Sequence, residues 1–230
     1  MSYIQHEVDE FTAQAQAHKL QFNEGKCKEL RIGFSFCPTQ FDSILINNNP
    51  VDVVDYAKIL GLTVSNNLKW NKHVDEVIKK ARMRLYFLSQ LKKSNVATKE
   101  LLQFYTTCIW PVMEYASPVF HNSLTQYLSD DLESIQKRAI KIIFPGITYN
   151  EALNITNVQK LKTRRQELTN KLFQEIVSND SHRRHCILPS RNFSNFDLLR
   201  NKHGFNVHFQ TQRYKNSFII LYIIHLKCEL

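Results

Sequence analysis

A long apolar stripe constrains the fold of this chain more than any other feature of its sequence. Between residues 74 and 91, apolar side chains recur at steps of three or four, which is the spacing of one face of an α-helix. Lys72, Lys79, Arg82 and Lys93 lie off this stripe. The pattern, whose period changes from residue 71, predicts a helix of about six turns over residues 72–93 that packs one face against a core. The stripe consists of Val74, Val77, Ile78, Ala81, Leu85, Leu88 and Leu91.

The charge of the chain changes where this helix begins. The 230 residues carry 30 Lys and Arg against 21 Asp and Glu, a net charge of +9. Only 6 of the basic residues and 8 of the acidic ones precede Lys72, which leaves 24 and 13 from Lys72 onward. A one-sided positive field suits a phosphate backbone or an anionic membrane surface, although it can also serve solubility alone. We expect nucleic acid to be the partner.

The cysteines and the apolar runs indicate a chain that works inside the cell. The five cysteines are scattered, odd in number and never spaced as C-x-x-C, so neither a disulfide framework nor a zinc ribbon is indicated. The start lacks the regions of a signal peptide, and the run "FIILYII" is too short to span a bilayer. We expect an intracellular protein, cytoplasmic or nuclear, with no membrane partner.

Ahead of the long helix, the sequence favours a helix and a small sheet. Three- and four-residue apolar steps predict an amphipathic helix over residues 3–20. Alternating polar and apolar side chains predict a strand over residues 27–36, ended by Pro38. Two more strands are predicted in "SILIN" and "YAKILGLTV", with a loop of turn-forming residues between them.

Behind the long helix, helical patterns continue to about residue 177. We predict a second helix capped by Thr98 and kinked or broken at Pro111, because proline removes a backbone donor and clashes with the preceding turn. Ser129 is predicted to open a third helix that stops at Pro145, and a fourth spans residues 157–177. Residues 178–217 are polar and loop-like. The predicted organisation is therefore three segments: 1–70, 71–177 and 178–230.

No self-sufficient catalytic centre is visible. The acidic pairs Asp130–Asp131 and Asp75–Glu76 could be tested as metal ligands, but adjacent helical positions point about 100° apart. First-turn acids are also ordinary helix-cap chemistry. "SHRRHC" places His182, His185 and Cys186 together without a fourth ligand at a recognisable spacing, and a basic loop is the simpler interpretation. The chain contains neither a G-x-S-x-G nor a G-x-x-x-x-G-K-[ST] motif.

The segment with the clearest binding chemistry is the basic helix after Trp70. Residues 72–93 carry seven Lys or Arg against two acids, a composition that fits either phosphate binding or a solvated helix face. A tryptophan where a strand meets a helix can be a base-stacking platform, but it is more often part of a core.

Several blocks, in order, resemble the end of the palm and the thumb of reverse transcriptases from non-LTR (LINE-type, Jockey-like) retrotransposons. The resemblance covers most of residues 5–219 and implies an α+β, mostly α fold. That fold would have a small antiparallel sheet at the end of a polymerase palm, a helical thumb and a helical C-terminal extension. The blocks include "LQFNEGKCKELRIGF", "YAKILGLTVSNNLKWNKHV", "KKARMRLYFLSQLKK", "LLQFYTTCIWPVMEYASPVFH" and "LKTRRQELTNKLFQEI".

The resemblance also implies roles for individual residues. Lys26 matches a palm lysine near the incoming nucleotide, and "ILGLTV" is similar to the primer-grip hairpin with Leu60 and Gly61 at its centre. The basic helix would be the first thumb helix, lying along a primer–template duplex or RNA/DNA hybrid. The implied nucleic-acid contacts are Leu60, Gly61, Trp70, Lys72, Lys79, Lys80, Arg82 and Arg84.

The same resemblance predicts that this chain alone is inactive. The family's catalytic aspartate and F/Y-x-D-D motif are absent from the sequence, so the chain would bind no metal, whereas the full-length family uses magnesium. The implied function is a C-terminal fragment of an RNA-directed DNA polymerase. Two alternatives remain open. One is a non-functional or domesticated remnant that acts as a helical protein-interaction module, and the other is an enzyme completed by palm and fingers from another chain.

Overall fold

The structure is a computed structural model that describes residues 3–33 and 41–188. The chain divides into two compact units, Met1–His73 and Val74–Leu230. The described residues are mostly helical with small β-sheets, so the predicted α+β, mostly α class is confirmed at that level.

The first unit begins with helix α1, Tyr3–Ala17, which ends three residues before the predicted boundary. None of its residues is buried. The helix is joined to the following sheet by the side-chain amide of Gln5. Its Nε2 donates to the Leu45 carbonyl oxygen (2.9 Å) and its Oε1 accepts from the Leu45 N–H (2.8 Å). The amide therefore occupies the hydrogen-bonding positions that a neighbouring strand would use.

The β-structure of this unit consists of three separate two-stranded sheets. Strands β1 (Lys28–Glu29) and β4 (Asp52–Val53) pair in parallel. The other two sheets are antiparallel hairpins: β2 (Leu45–Ile46) with β3 (Asn49–Pro50), and β5 (Tyr56–Ile59) with β6 (Leu62–Ser65). The strand predicted over residues 27–36 is wrong in length, since only β1 forms there among the described residues; residues 34–36 lie outside them.

Both hairpins turn through two residues in the left-handed backbone region. Asn47 and Asn48 have φ of 50° and 64°, and Leu60 and Gly61 have φ of 47° and 85°. Two-residue turns with positive φ at both positions match the right-handed twist of the flanking strands. The single strand predicted over "YAKILGLTV" is wrong, because it is two strands; the hairpin that the resemblance implied there is present, with Leu60 and Gly61 as its turn.

The second unit is helical, and its long first helix confirms the stripe prediction. Helix α2 spans Asn71–Lys93. Its first three residues belong to the first unit as the chain is divided. Six of the seven stripe residues are buried, and Leu91 is half-buried.

The segment around Pro111 differs from its prediction in two respects. Helix α3 spans Thr98–Phe104 with Ala97, not Thr98, in the N-cap position. The helix then widens into a π turn at Tyr105–Ile109, before Pro111, and α4 (Trp110–Glu114) follows with the proline in its first turn. Proline is tolerated there because the first amides of a helix have no intrahelical partner. The irregularity was predicted, but it lies before the proline.

The remaining helices correct two predicted helix starts. Helix α5 is a single turn, Ser117–Phe120. Helix α6 spans Gln126–Ile143 with Thr125 at its N-cap, so Ser129 lies inside it and does not open it. The helix predicted over residues 157–177 is preceded by a separate one. Helix α7 (Tyr149–Thr156) ends at Asn157 in the left-handed region, and α8 (Leu161–Ser178) follows. Short 3₁₀ turns occur at Glu24–Lys26, His121–Ser123 and His185–Ile187.

Most of the described apolar core lies in the second unit, where α2, α3, α6 and α8 contribute their inner faces. One of the largest fully buried side chains is charged: Arg165 of α8 has no exposed surface. In the described part of the first unit, Ile46 is the one apolar residue that reaches the buried class. The two units therefore differ strongly in how much apolar surface each one covers.

Candidate nucleic-acid interface

The exposed side of α2 carries cations and large apolar side chains together. Lys79, Lys80 and Arg82 are exposed on it. Met83, Tyr86 and Phe87 lie among them with 61%, 61% and 55% of their surface exposed. The rings of Tyr86 and Phe87 meet edge to face, 5.8 Å between centroids. We call these six residues the α2 outer face.

Part of the α2 outer face borders a groove of about 590 Å³. Lys79, Arg82 and Met83 line it from α2, and Asp131 lines it from α6. Asp75 shares the groove, so the fold gathers one aspartate from each of two pairs that sequence reasoning treated separately. In residues 3–33 and 41–188, no group of three or more His, Cys, Asp or Glu side chains could hold a metal ion. The charged groups that line the groove are two cations, Lys79 and Arg82, and the two aspartates.

Arg84 is exposed, but its guanidinium contacts another part of the chain. Its Nη1 donates to the backbone carbonyl oxygen of Cys108, inside the π turn. The hydroxyls of Thr106 and Thr107 both donate to the Gln103 carbonyl oxygen, at 3.0 and 2.8 Å. Side-chain donors thus satisfy carbonyl groups at the irregular turn, as irregular helices require. Arg84 has this structural contact whether or not it also meets a phosphate.

Trp70 and Lys72, also predicted as nucleic-acid contacts, make contacts within the first unit. The Trp70 ring is half-buried and packs edge to face with His73, 5.8 Å between centroids. The Thr63 N–H donates to Nδ1 of the buried His73 at 3.4 Å. The Lys72 ammonium lies 5.9 Å from the centroid of the Tyr56 ring, within range of a cation–π interaction. These contacts fit the interpretation of Trp70 as a packing residue.

The other predicted site residues lie in the first unit. Lys26 is exposed in a 3₁₀ turn, while its neighbour Lys28 forms an ion pair of 2.6 Å with Asp52. Leu60, at the tip of the β5–β6 hairpin, is 86% exposed, and Gly61 follows it. Their roles in binding stay predictions, and so do those of the α2 cations.

Sequence reasoning missed the apolar part of the α2 outer face, which is Met83, Tyr86 and Phe87. The signal was present, because Met83, Tyr86 and Phe87 occupy helical positions outside the apolar stripe. A large apolar residue at such a position is exposed unless another element covers it. The groove between this face and Asp131 could not be predicted from the pattern of one helix, since it depends on how α2 and α6, distant in sequence, pack together.

One family model matches the chain, over residues 70–109. Its description is "Alkylated DNA repair protein alkB homolog 8, N-terminal". The match covers α2, α3 and the π turn, 40 of the 230 residues. No curated protein and no solved structure matches the chain.

The family match overturns the resemblance to retrotransposon reverse transcriptases. The block interpreted as the thumb helix and the first nine residues of the block after it lie inside residues 70–109, where the matching family is a different one. The assignment as a fragment of an RNA-directed DNA polymerase is therefore wrong, as is the palm and thumb description. A hairpin followed by a basic amphipathic helix is a pattern that unrelated folds can share, and the three separate two-stranded sheets do not build one palm sheet.

No helix in the described part of the chain has both the length and the apolar character that crossing a bilayer requires.

Proposed function

We propose that this chain binds nucleic acid without sequence preference, through phosphate contacts made by the α2 outer face. The observation that carries the proposal is the exposed set Lys79, Lys80 and Arg82, interleaved with exposed Met83, Tyr86 and Phe87. Within the described part of the chain, none of these three cations forms an ion pair. Their charges are thus available to an external anion.

The composition of this face supports nucleic acid over other anionic partners. Cations neutralise phosphates and release counterions, which gives affinity that does not depend on sequence. Exposed aromatic side chains beside them can stack on bases or pack on sugars. The net charge of +9 also favours nucleic acid, because it raises the rate at which the protein meets a polyanion. The description of the matching family refers to the repair of alkylated DNA, a process that acts on nucleic acid.

The test is fluorescence anisotropy on a DNA duplex, an RNA/DNA hybrid and a single strand, each at several salt concentrations. The wild-type chain is expected to bind all three with affinity that falls steeply as salt rises. The double variant K79A/R82A is expected to bind more weakly and to lower the slope of log K against log salt by about 2 for duplex DNA, since each phosphate contact contributes about 0.9.

The matched control is K99A/K171A, which removes the same charge at exposed positions outside the α2 outer face. It is expected to bind nearly as the wild type does. Equal effects of the two double variants would show that only net charge matters, and an unchanged K79A/R82A would refute the proposal. Arg84 is not used in this pair of variants, because loss of its hydrogen bond to Cys108 would change the stability of the protein as well as any phosphate contact.

A further inference from the structure

A second cleft, of about 540 Å³, lies among α6, α7 and the start of α8. Its volume is within the range of small-molecule sites. Helix α6 and helix α7 supply polar walls, and the two lysines at the start of α8 close one side. The cleft is lined by Ser129, Asp130, Glu133, Lys137, Tyr149, Asn150, Lys160 and Lys162.

Neutral donors already occupy the carboxylates of this cleft. Glu133 Oε1 accepts from the Tyr149 hydroxyl at 2.6 Å, and Glu133 Oε2 accepts from the backbone N–H of Lys162 at 3.1 Å. Glu133 thereby caps the N-terminus of α8 from another helix. Asp130 Oδ1 accepts from the side-chain amide of Gln126 at 2.8 Å. The acids therefore accept hydrogen bonds from neutral groups, and among the described residues neither of them forms an ion pair with a lysine of the cleft.

The lysines of the cleft are exposed, and in the described part of the chain none of them makes an ion pair. The Lys137 ammonium lies 5.9 Å from the centroid of the Tyr149 ring. The Lys162 ammonium donates to Gln126 Oε1, a neutral acceptor, at 3.2 Å. Lys160 directly precedes α8, whose N-terminal end carries a partial positive charge.

A buried cation lies behind the floor of the cleft. The Arg165 guanidinium has no exposed surface, and its Nη2 donates to the hydroxyl oxygen of Ser129, one of the lining residues, at 2.9 Å. Its Nε and Nη1 are buried and have no hydrogen-bond partner among the described residues. Burial lowers the pKa of Arg165 to about 10, while Glu133 and Glu114 act in the opposite direction. The lining carries three lysines against two carboxylates, and Arg165 lies behind it with Glu114 also acting on its charge, so the local charge stays positive.

We propose that this cleft binds a phosphate monoester, held by Lys137, Lys160 and Lys162 with Asn150 as a neutral donor. A dianionic phosphate monoester carries more negative charge and more acceptor oxygens than a single carboxylate, so it suits a site with several ammonium groups. The phosphate can belong to a free nucleotide or to the 5′ end of a nucleic-acid strand. The cleft shares no residue with the α2 outer face, so this inference does not depend on the proposed function.

Calorimetric titration of the full chain with inorganic phosphate, AMP, and an oligonucleotide with or without a 5′-phosphate tests the inference. Phosphate and AMP are expected to bind. A strand that binds more tightly when it carries the 5′-phosphate identifies the strand end as the source, whereas AMP binding without that difference identifies the nucleotide. K137A/K160A is expected to bind phosphate roughly tenfold more weakly, because two exposed ion pairs are lost.

Two controls make the result specific. K99A/K171A removes equal charge elsewhere, and K79A/R82A alters the α2 outer face; both are expected to keep wild-type affinity for phosphate. The variant E133Q is expected to bind phosphate more tightly, since it removes a negative charge while its amide can still accept from the Lys162 N–H. A wild-type chain that binds neither phosphate nor AMP, or an affinity that K137A/K160A leaves unchanged, would overturn the inference.

Discussion

Leu60 adopts a backbone conformation that leucine rarely takes. Its φ of 47° is in the left-handed region, where Cβ lies close to the following carbonyl oxygen at a cost on the order of 1 kcal/mol. At the first position of this kind of hairpin turn, asparagine or glycine is preferred. The other hairpin follows that preference with Asn47 and Asn48. An exposed leucine at the tip of β5–β6 is thus costly for folding, which fits a residue retained for contact with a partner.

Replacing Leu60 by asparagine is expected to stabilise the β5–β6 hairpin by about 1 kcal/mol, because asparagine tolerates positive φ. Hydrogen exchange of the Ala57 and Val64 amides measures this change locally. If Leu60 also contacts nucleic acid, the same variant binds more weakly in the anisotropy assay. A variant that is neither more protected nor altered in binding would contradict this account of the turn.

His121 links stability to pH. Burial lowers the pKa of its imidazole from the ordinary 6.5, and the nearby charges of Arg165 and Lys162 act in the same direction, against the hydrogen bond with Gln166. The folded protein therefore takes up a proton less readily than the unfolded chain. The stability contributed by neutral His121 is present above pH 6.5 and is lost as the pH falls through 6.5 toward the folded-state pKa.

Urea unfolding at about pH 7.5 and about pH 5.5 tests this prediction. The wild-type chain is expected to lose more stability on acidification than H121Q, whose amide does not titrate and can still bond to Gln166. H121Q is needed as a control because Glu114 also links stability to pH. Burial raises the pKa of Glu114, partly offset by Arg164, so this carboxyl adds stability as the pH falls, opposite to His121. Equal losses in the two proteins would exclude His121 as the source.

At the scale of elements, Arg82 and Arg84 of α2 make different kinds of contact. Arg82 lines the groove, whereas Arg84 donates to the Cys108 carbonyl oxygen and holds the π turn against α2. In a regular helix that carbonyl would accept from an amide four residues on. The Arg84 guanidinium thus adds a contact between α2 and the π turn that no local signal around Pro111 could predict.

The variants R82A and R84A form a matched pair with the same loss of charge. R84A is expected to lower the free energy of unfolding by about 1 kcal/mol, as the loss of a charged hydrogen bond does, and R82A to stay within about 0.5 kcal/mol of wild type. R82A is expected to cost more nucleic-acid affinity than R84A does. Chemical denaturation and anisotropy measure the two effects, and a reversed order would show that the assigned tasks are wrong.

The elements also show where sequence was sufficient. Helix α2 was predictable almost to the residue because its stripe alone fixes period, length and inner face. Helix α7 was missed although its signal was present: Thr148 and Glu151 form a capping box in which each side chain accepts from the other's backbone N–H. The start of α6 was misplaced because Ser129 resembles a cap residue, whereas it is buried against Arg165.

Tertiary packing decides what the sequence could not. Helical spacing places Arg165 on the apolar stripe of its helix, four residues after Leu161, whereas Arg164 lies off the stripe. The sequence does not show that the Arg165 guanidinium meets the Ser129 hydroxyl. The contacts of Arg84 with Cys108 and of Glu133 with α8 likewise join segments distant along the chain. The basic surface of α2 was therefore predictable, whereas the cleft beside α8 was not.

In the whole molecule, apolar burial is divided unevenly. Helix α1 has no buried residue, and its exposed side chains include Tyr3, Ile4 and Phe11. In the second unit, by contrast, α6 alone buries eight of its residues. Since burial is the main source of stability, the two units are expected to open with different free energies.

Hydrogen exchange followed by mass spectrometry on the full chain measures this difference. Amides of α1 are expected to exchange on the order of a hundredfold faster than those of α6 and α8, because their opening exposes little additional apolar surface. The helices of one protein serve as each other's control under identical conditions. Equal protection of α1 and α6 would show that α1 is covered by a contact that the described residues do not reveal.

The burial of Arg165 also limits how this protein can evolve. Removing one member of a buried charged group leaves the others uncompensated, whereas replacing the group together by apolar residues can be neutral. Glu114 and Glu133 are the acids whose charges act on the Arg165 guanidinium. In related sequences, positions 114, 133 and 165 are therefore expected to co-vary. A lineage that loses the arginine is expected to lose these acids too, and with them the cap that Glu133 provides to α8.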